Sequence, residues 1–317
     1  MQTRPLGQTD ILITPIGLGG NKFSGSKGLM GLVMPDLSQE EITEIVKTAL
    51  DNGINWIDTA EMYGFGQSER AIAAALHALN KTDDDVVIAT KWNPLLRSAG
   101  NIPNTIDKRL DCLDGYVIDL YMVHNPLGFS SPESEMSAMA GLVEQGKIRS
   151  IGVSNFNVQQ MQRAHAALAE RGLPLAVNQV EYSLVNRKIE SNGLLDAAKD
   201  LGVTIIAWAP LGSGILTGKY HDSDRYAQAP FGRRMMLRRK LEESRPLVDA
   251  LQKIAPTYEA TPSQIALNWL YNSQGETVVT IPGASKAHHA LESAGALNFT
   301  LSDEDMTRLN QLSRQFR

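Results

Sequence analysis

Residues 54–69 read INWIDTAEMYGFGQSE, and the fold turns on this stretch. Ile54, Trp56 and Ile57 make a short apolar run of the kind that forms a buried strand. The run stops at Asp58, a carboxylate at the lip of a hydrophobic element, and Tyr63 follows five residues later in a loop. A buried carboxylate is costly unless paired, so Asp58 demands a cation. Lys91 is the expected partner, because it ends the next apolar run, VVIATK. A third run, VIDLYMVH, ends in His124. Three successive strands thus finish on a polar side chain able to handle protons, with a tyrosine beside the first.

The same alternation continues outward. Upstream, residues 4–20 predict a short hairpin that closes the bottom of a barrel, then a first barrel strand near Ile16. Ser38 opens a capping box ahead of Ile42, Ile45, Val46 and Ala49, which repeat at helical spacing, and Asn52-Gly53 ends that helix. Downstream, strands at 54–58, 86–91, 117–123, 148–153, 175–180, 203–208 and 277–281 alternate with helices at 67–79, 103–113, 133–145, 157–171, 191–201, 262–273 and 286–297. Further helices are expected near 244–255 and at 303–314, and residues 217–245 form a long excursion suited to a lid or cofactor clasp. Strand–helix alternation implies parallel pairing with right-handed crossovers. Eight strands fit a single (β/α)₈ barrel domain over 1–317, with an N-terminal β-hairpin and an extra C-terminal helix. A doubly wound sheet is the rival, but no GxGxxG follows the first strand.

Composition narrows the function. The 317 residues are 43% hydrophobic with a net charge of −5, so a large core is available and nothing favours nucleic acid. The single cysteine, Cys112, excludes a disulfide framework or cysteine-zinc site, and its helical context reads as packing. No leader and no membrane-length apolar run is evident, which predicts a soluble, cytoplasmic protein. Asp58 and His124 lack a third ligand at suitable spacing and Lys91 would oppose a cation, so no metal is expected.

Barrel geometry gathers the C-terminal strand ends on one face, so Asp58, Lys91, His124, Asn155, Gln179 and Trp208 are compatible with one pocket. A lysine ammonium about 4 Å from a phenol, at an effective dielectric of about 20, attracts the phenolate by on the order of 4 kcal/mol before desolvation. That corresponds to lowering the phenol by up to roughly three pKa units. Tyr63 is then a candidate general acid–base, with Asp58 orienting Lys91 and His124 donating to a carbonyl oxygen. These residue types suit protonation of an alkoxide formed by hydride arrival, not acyl transfer through an activated Ser or Cys.

DTAEMYG, ATKW, DLYMVHNP, IRSIGVSNF, NQVEYS and IPGASK, in this order from about residue 4 to 312, resemble the aldo-keto reductase superfamily. The resemblance implies a (β/α)₈ barrel that binds a nicotinamide cofactor without a Rossmann domain and reduces aldehydes or ketones. Its catalytic tetrad carries over onto Asp58, Tyr63, Lys91 and His124. Ser154, Asn155 and Gln179 match its nicotinamide-carboxamide positions, Trp208 stands where many members stack a Tyr on the ring, and Gly20 joins the cofactor set. PLGSGILTGK matches the pyrophosphate wrap through Pro210, Leu211, Gly212, Gly214, Leu216 and Lys219. Gly283, Ser285, Lys286, His289 and Glu292 match the adenosine end, where a hydroxyl and a cation favour NADPH. The family often has an Arg where this chain has His288-His289, so NADH use is also expected. The substrate is a small carbonyl compound, with Lys22, Phe23, Trp92 and Phe129 as candidate pocket walls on loops 21–35, 92–100 and 125–131. The alternative is a cofactor-binding regulatory subunit with little turnover, as in the ion-channel β-subunits that resemble this superfamily.

Overall fold

The structure, a computed structural model, describes residues 3–25, 37–221, 226 and 231–317, the stretch 231–239 by its backbone alone. Loop residues 26–35 and parts of the 217–245 excursion lie outside the described residues. The chain begins with an antiparallel hairpin of β1 (Arg4–Pro5) and β2 (Leu12–Ile13). Eight parallel strands follow: β3 (Leu18–Gly19), β4 (Trp56–Asp58), β5 (Val87–Trp92), β6 (Leu120–Val123), β7 (Ser150–Ser154), β8 (Leu175–Glu181), β9 (Thr204–Trp208) and β10 (Val278–Thr280). They pair in chain order. Parallel bridges Ile16–Thr280 and Gly19–Gly283 join the first strand to the last and close the barrel.

Each strand divides its residues by parity, because successive side chains face opposite sides. Trp56, Ala89, Leu120, Met122, Val177, Ile206 and Val279 fill the barrel with Leu6, Ile11 and Ile13 of the hairpin as a floor. The alternate residues, such as Ile57, Ile88, Tyr121 and Ile205, pack beneath the helices. Gly17 is required at the floor, since a Cβ there would meet the Trp56 indole at 2.3 Å.

The helices are α1 (Gln39–Asp51), α2 (Gln67–Ala78), α3 (Asn101–Leu113), α4 (Pro132–Glu144), α5 (Val158–Ala169), α6 (Leu194–Leu201), α7 (Phe231–Ile254), α8 (Pro262–Asn272), α9 (Ala287–Gly295) and α10 (Asp303–Leu312). The Ser38–Glu41 capping box starts α1 as expected. Helix α7 begins 13 residues earlier than the sequence suggests. Pro246 reads as a boundary because proline breaks the helical ladder, yet it lies inside this helix. The Arg, Lys, Met and Leu residues before it are good helix formers.

Alternation carries Asp58, Lys91 and, one residue past β6, His124 to the same end of the barrel. That end is the mouth.

Candidate active site

Past β4 the chain keeps pairing with β5: the Thr59 N–H donates to the Ala89 carbonyl at 2.8 Å and the Glu61 N–H to that of Lys91 at 3.1 Å. A tight turn then delivers Tyr63. Gly64, Phe65 and Gly66 all lie at positive φ (65°, 55° and 90°), and a Cβ on Gly64 would sit 2.1 Å from the Ser24 carbonyl oxygen. Only glycine fits there at no steric cost.

Lys91 and Asp58 are almost fully buried, at 0% and 1% exposure. The Lys91 ammonium donates to Asp58 Oδ2 at 2.7 Å and to the Thr59 carbonyl at 2.8 Å. Its charge also faces Tyr63, with Nζ 5.1 Å from the phenol ring centre. Burial acts to lower the Lys91 pKa, but Asp58 and then Tyr63 outweigh it, so the ammonium is held above its ordinary value. Asp58 Oδ1 is satisfied by the Gln179 amide at 2.8 Å. His124 meets Tyr63 edge-on, ring centres 5.8 Å apart. Burial, then the Lys91 charge, depresses its pKa to about 3, so the imidazole is neutral at physiological pH.

Tyr63 itself departs from expectation. Lys91 does pull its pKa down, but desolvation is the larger effect and the phenol ends above its ordinary value. The Coulomb attraction is real; the cost of a buried phenolate exceeds it.

Around this cluster, Asn155 holds φ of 60° and donates from its amide to Ser154 Oγ (3.0 Å) and to the His124 carbonyl (3.3 Å). Its side-chain oxygen accepts the Trp208 indole N–H at 3.1 Å, which fixes that ring at the rim. Ser154 Oγ donates to the Gln179 carbonyl at 2.9 Å. Further round, Gly212, Ser213 and Gly214 are consecutive left-handed residues (φ 57°, 57° and 95°). Burial, and then the charges of His288, Lys219 and Lys286, lowers the pKa of His289, with Glu292 opposing. The segments 210–219 and 283–292 therefore share one basic corner, where the Ser285 hydroxyl and N–H meet His289 Nδ1 at 3.3 and 3.4 Å.

The Aldo/keto reductase family model matches residues 15–314. The chain belongs to the aldo-keto reductase family. Among its relatives, a chloroplastic pyridoxal reductase of Arabidopsis thaliana is 32% identical, over 96% of this chain and 84% of that one. The aldo-keto reductase yakc [NADP(+)] of Schizosaccharomyces pombe is 35% identical, over 90% and 86%. The thermostable aldo-keto reductase Tm1743, solved with the inhibitor epalrestat, superposes with a TM-score of 0.76 at 32% identity, covering 98% of this chain and 100% of that one. As an aldo-keto reductase, the chain is an oxidoreductase that uses a nicotinamide cofactor.

Three expected contacts, Trp92, Phe23 and Leu216, fall elsewhere. Trp92 is not a pocket wall: it follows Lys91 on the strand, so parity turns it outward, where it is fully buried and donates to Asn101 Oδ1 at 3.0 Å. Phe23, 1% exposed, packs in the layer beneath the helices. Leu216 is likewise core, so its side chain is not free to line a cofactor groove. Gly20 is buried, its carbonyl accepting the Ser68 hydroxyl at 2.8 Å. Glu292 accepts the Thr261 hydroxyl at 2.6 Å. Pro210 and Leu211 lead into the left-handed run, and Gly283 lies so near Asn21 that a Cβ would come within 2.9 Å of its side-chain oxygen. Lys22 is half-buried, and Phe129, at 74% exposure, projects from the loop after β6.

One buried acid was not singled out by sequence. Glu135, on α4, is 2% exposed, and desolvation alone raises its pKa to about 7. Its Oε1 would lie 3.0 Å from a Cβ on Gly128, beneath the loop that carries Phe129. An unfolded chain releases this proton near 4.5 while the folded one keeps it to about 7. Stability from this group is thus full below pH 4.5 and falls as pH rises to about 7, by about 3 kcal/mol. Glu135→Gln should remove that loss. Urea unfolding of both proteins at pH 5 and pH 8 checks it: an equal fall in the two would refute the assignment.

Proposed function

We propose that the chain is an NADPH-dependent carbonyl reductase in which Tyr63 is the general acid. The observation that carries this reading is the buried Asp58–Lys91 pair, with its ammonium 5.1 Å from the Tyr63 ring centre. When bound, the nicotinamide cofactor supplies the hydride that reaches the carbonyl carbon. Tyr63 gives its proton to the carbonyl oxygen, and Lys91, kept charged by Asp58, stabilises the phenolate left behind. Neutral His124 can donate a hydrogen bond to that oxygen without adding charge. Gln179 steadies the carboxylate from behind. Trp208, pinned by Asn155, offers an indole face for the nicotinamide. The left-handed run Gly212–Gly214 suits close backbone approach to a pyrophosphate.

Purified protein should consume NADPH with 4-nitrobenzaldehyde, followed by loss of reduced-cofactor absorbance. Pyridoxal belongs in the same panel, given the name of one relative. Tight NADPH binding with no turnover of any carbonyl would point instead to a cofactor-sensing subunit.

Preference for NADPH is read from Ser285, Lys286 and Lys219 around His289, and an NADP(+)-named relative agrees. Lys286→Ala is expected to raise the NADPH Kd roughly five- to tenfold, since an exposed charge-assisted contact is worth little more. The NADH Kd should stay put. Fluorescence titration with both cofactors decides, and equal weakening of the two would refute a 2′-phosphate contact.

A further inference from the structure

The turn bearing Tyr63 is held by more than its backbone. Glu61, two residues earlier, accepts the Asn93 N–H on Oε2 at 3.0 Å. Both its oxygens also accept Arg97 Nη1, at 2.8 and 2.9 Å. With its own N–H on the Lys91 carbonyl, Glu61 grips β5 on either side of Trp92. Arg97 passes the link on, because its carbonyl accepts the Phe129 N–H at 2.8 Å, and the Ala99 N–H donates to Ser130 Oγ at 2.8 Å. Three loops, after β4, β5 and β6, are thereby linked, the first two through the ion pair and the last two through the backbone of Arg97 and Ala99. The pair stands at the barrel mouth, with the Arg97 side chain 33% exposed and that of Glu61 13%.

We propose that Glu61 and Arg97 are positioning residues that keep the Tyr63 hydroxyl in register with Lys91 and tie it to the loops that meet substrate. The inference rests on the reductase reading. A general acid must sit within hydrogen-bond reach of the oxygen it protonates, and a misplacement of about 1 Å can cost roughly 10²-fold in rate. Thr59 and the Glu61 N–H still anchor the turn when the ion pair is lost, so the fold tolerates its removal while the phenol gains freedom. Both Glu61 oxygens are served by a single nitrogen, not by a guanidinium fork. A lysine, a point donor of the same charge, can therefore replace Arg97 here, although the two are not interchangeable at bidentate sites.

The test compares Glu61→Gln, Arg97→Met, Arg97→Lys and the double variant Glu61→Gln/Arg97→Met for kcat, KM, NADPH Kd and Tm. Glu61→Gln keeps an acceptor for the Asn93 N–H and removes only the charge. Glu61→Gln and Arg97→Met should each lower kcat roughly tenfold or more, with the NADPH Kd unchanged within about twofold. The double variant should be no worse than the poorer single one, since both break the same link. Arg97→Lys should recover most of kcat. Wild-type kcat in Glu61→Gln, equal damage from Arg97→Lys and Arg97→Met, multiplying losses, or a loss seated in cofactor affinity would each overturn the proposal. An inactive wild type overturns the reductase reading and takes this inference with it; an active wild type with unimpaired variants overturns the inference alone.

Discussion

Tyr63→Phe is expected to lower kcat for carbonyl reduction by roughly 10²–10⁴-fold, the usual worth of a positioned general acid, while the NADPH Kd stays within about twofold. The change removes one oxygen and leaves the ring that meets His124 edge-on. Because burial outweighs Lys91 in setting the phenol's pKa, Tyr63 is protonated across the neutral range and ready to act in the reductive direction. The acid is lost only as pH rises through that elevated value, so reduction should hold its rate well into the alkaline range. Steady-state kinetics and a cofactor titration on the two proteins are sufficient. Wild-type turnover in the variant would remove Tyr63 from the reaction.

Lys91→Met should damage both stability and rate. It strands Asp58, a carboxylate with 1% exposure, without its cation. Breaking a buried ion pair from one side costs about 3–5 kcal/mol, readable as a shift in the urea unfolding midpoint. Adding Asp58→Asn should restore much of that stability, because a neutral amide needs no counter-charge, while activity stays low for want of the ammonium beside the phenol. The split between recovered stability and unrecovered rate distinguishes a catalytic lysine from a structural one. A double variant as active as the wild type would contradict it.

The barrel was legible because its strands are short apolar runs ending in polar side chains. Asp58, Lys91 and His124 could be grouped by that ending alone, and the structure brings them together with Tyr63. The same parity excludes Trp92 from the pocket. It stands one position from Lys91 on a strand with a period of two, so both cannot face inward. Phe23 had no such signal, since it lies on a 3₁₀ turn after β3. The Gln179–Asp58 bond joins β8 to β4, with three strands between them, and leaves no local trace. Nor does the Glu61–Arg97 pair, which links two irregular loops without periodicity. The sign of the Tyr63 shift is illegible in sequence for another reason: a Coulomb attraction follows from neighbours, but desolvation depends on the full enclosure.

The barrel is closed where strands from opposite ends of the sequence meet, at Ile16–Thr280 and Gly19–Gly283. Such a junction spans nearly the whole polypeptide, and loop-closure entropy makes contacts of this reach slow to form. Asp58, Lys91 and His124 end β4, β5 and β6, consecutive strands whose pairing does not require that joint. Assembly of the proton-handling cluster therefore needs only an open arc of the sheet. Closure then sets Gly283, two residues before Ser285, against Gly19, itself paired with Asp58. Joining the two ends of the sheet thus brings the proton-handling cluster beside the segment read as the phosphate contact.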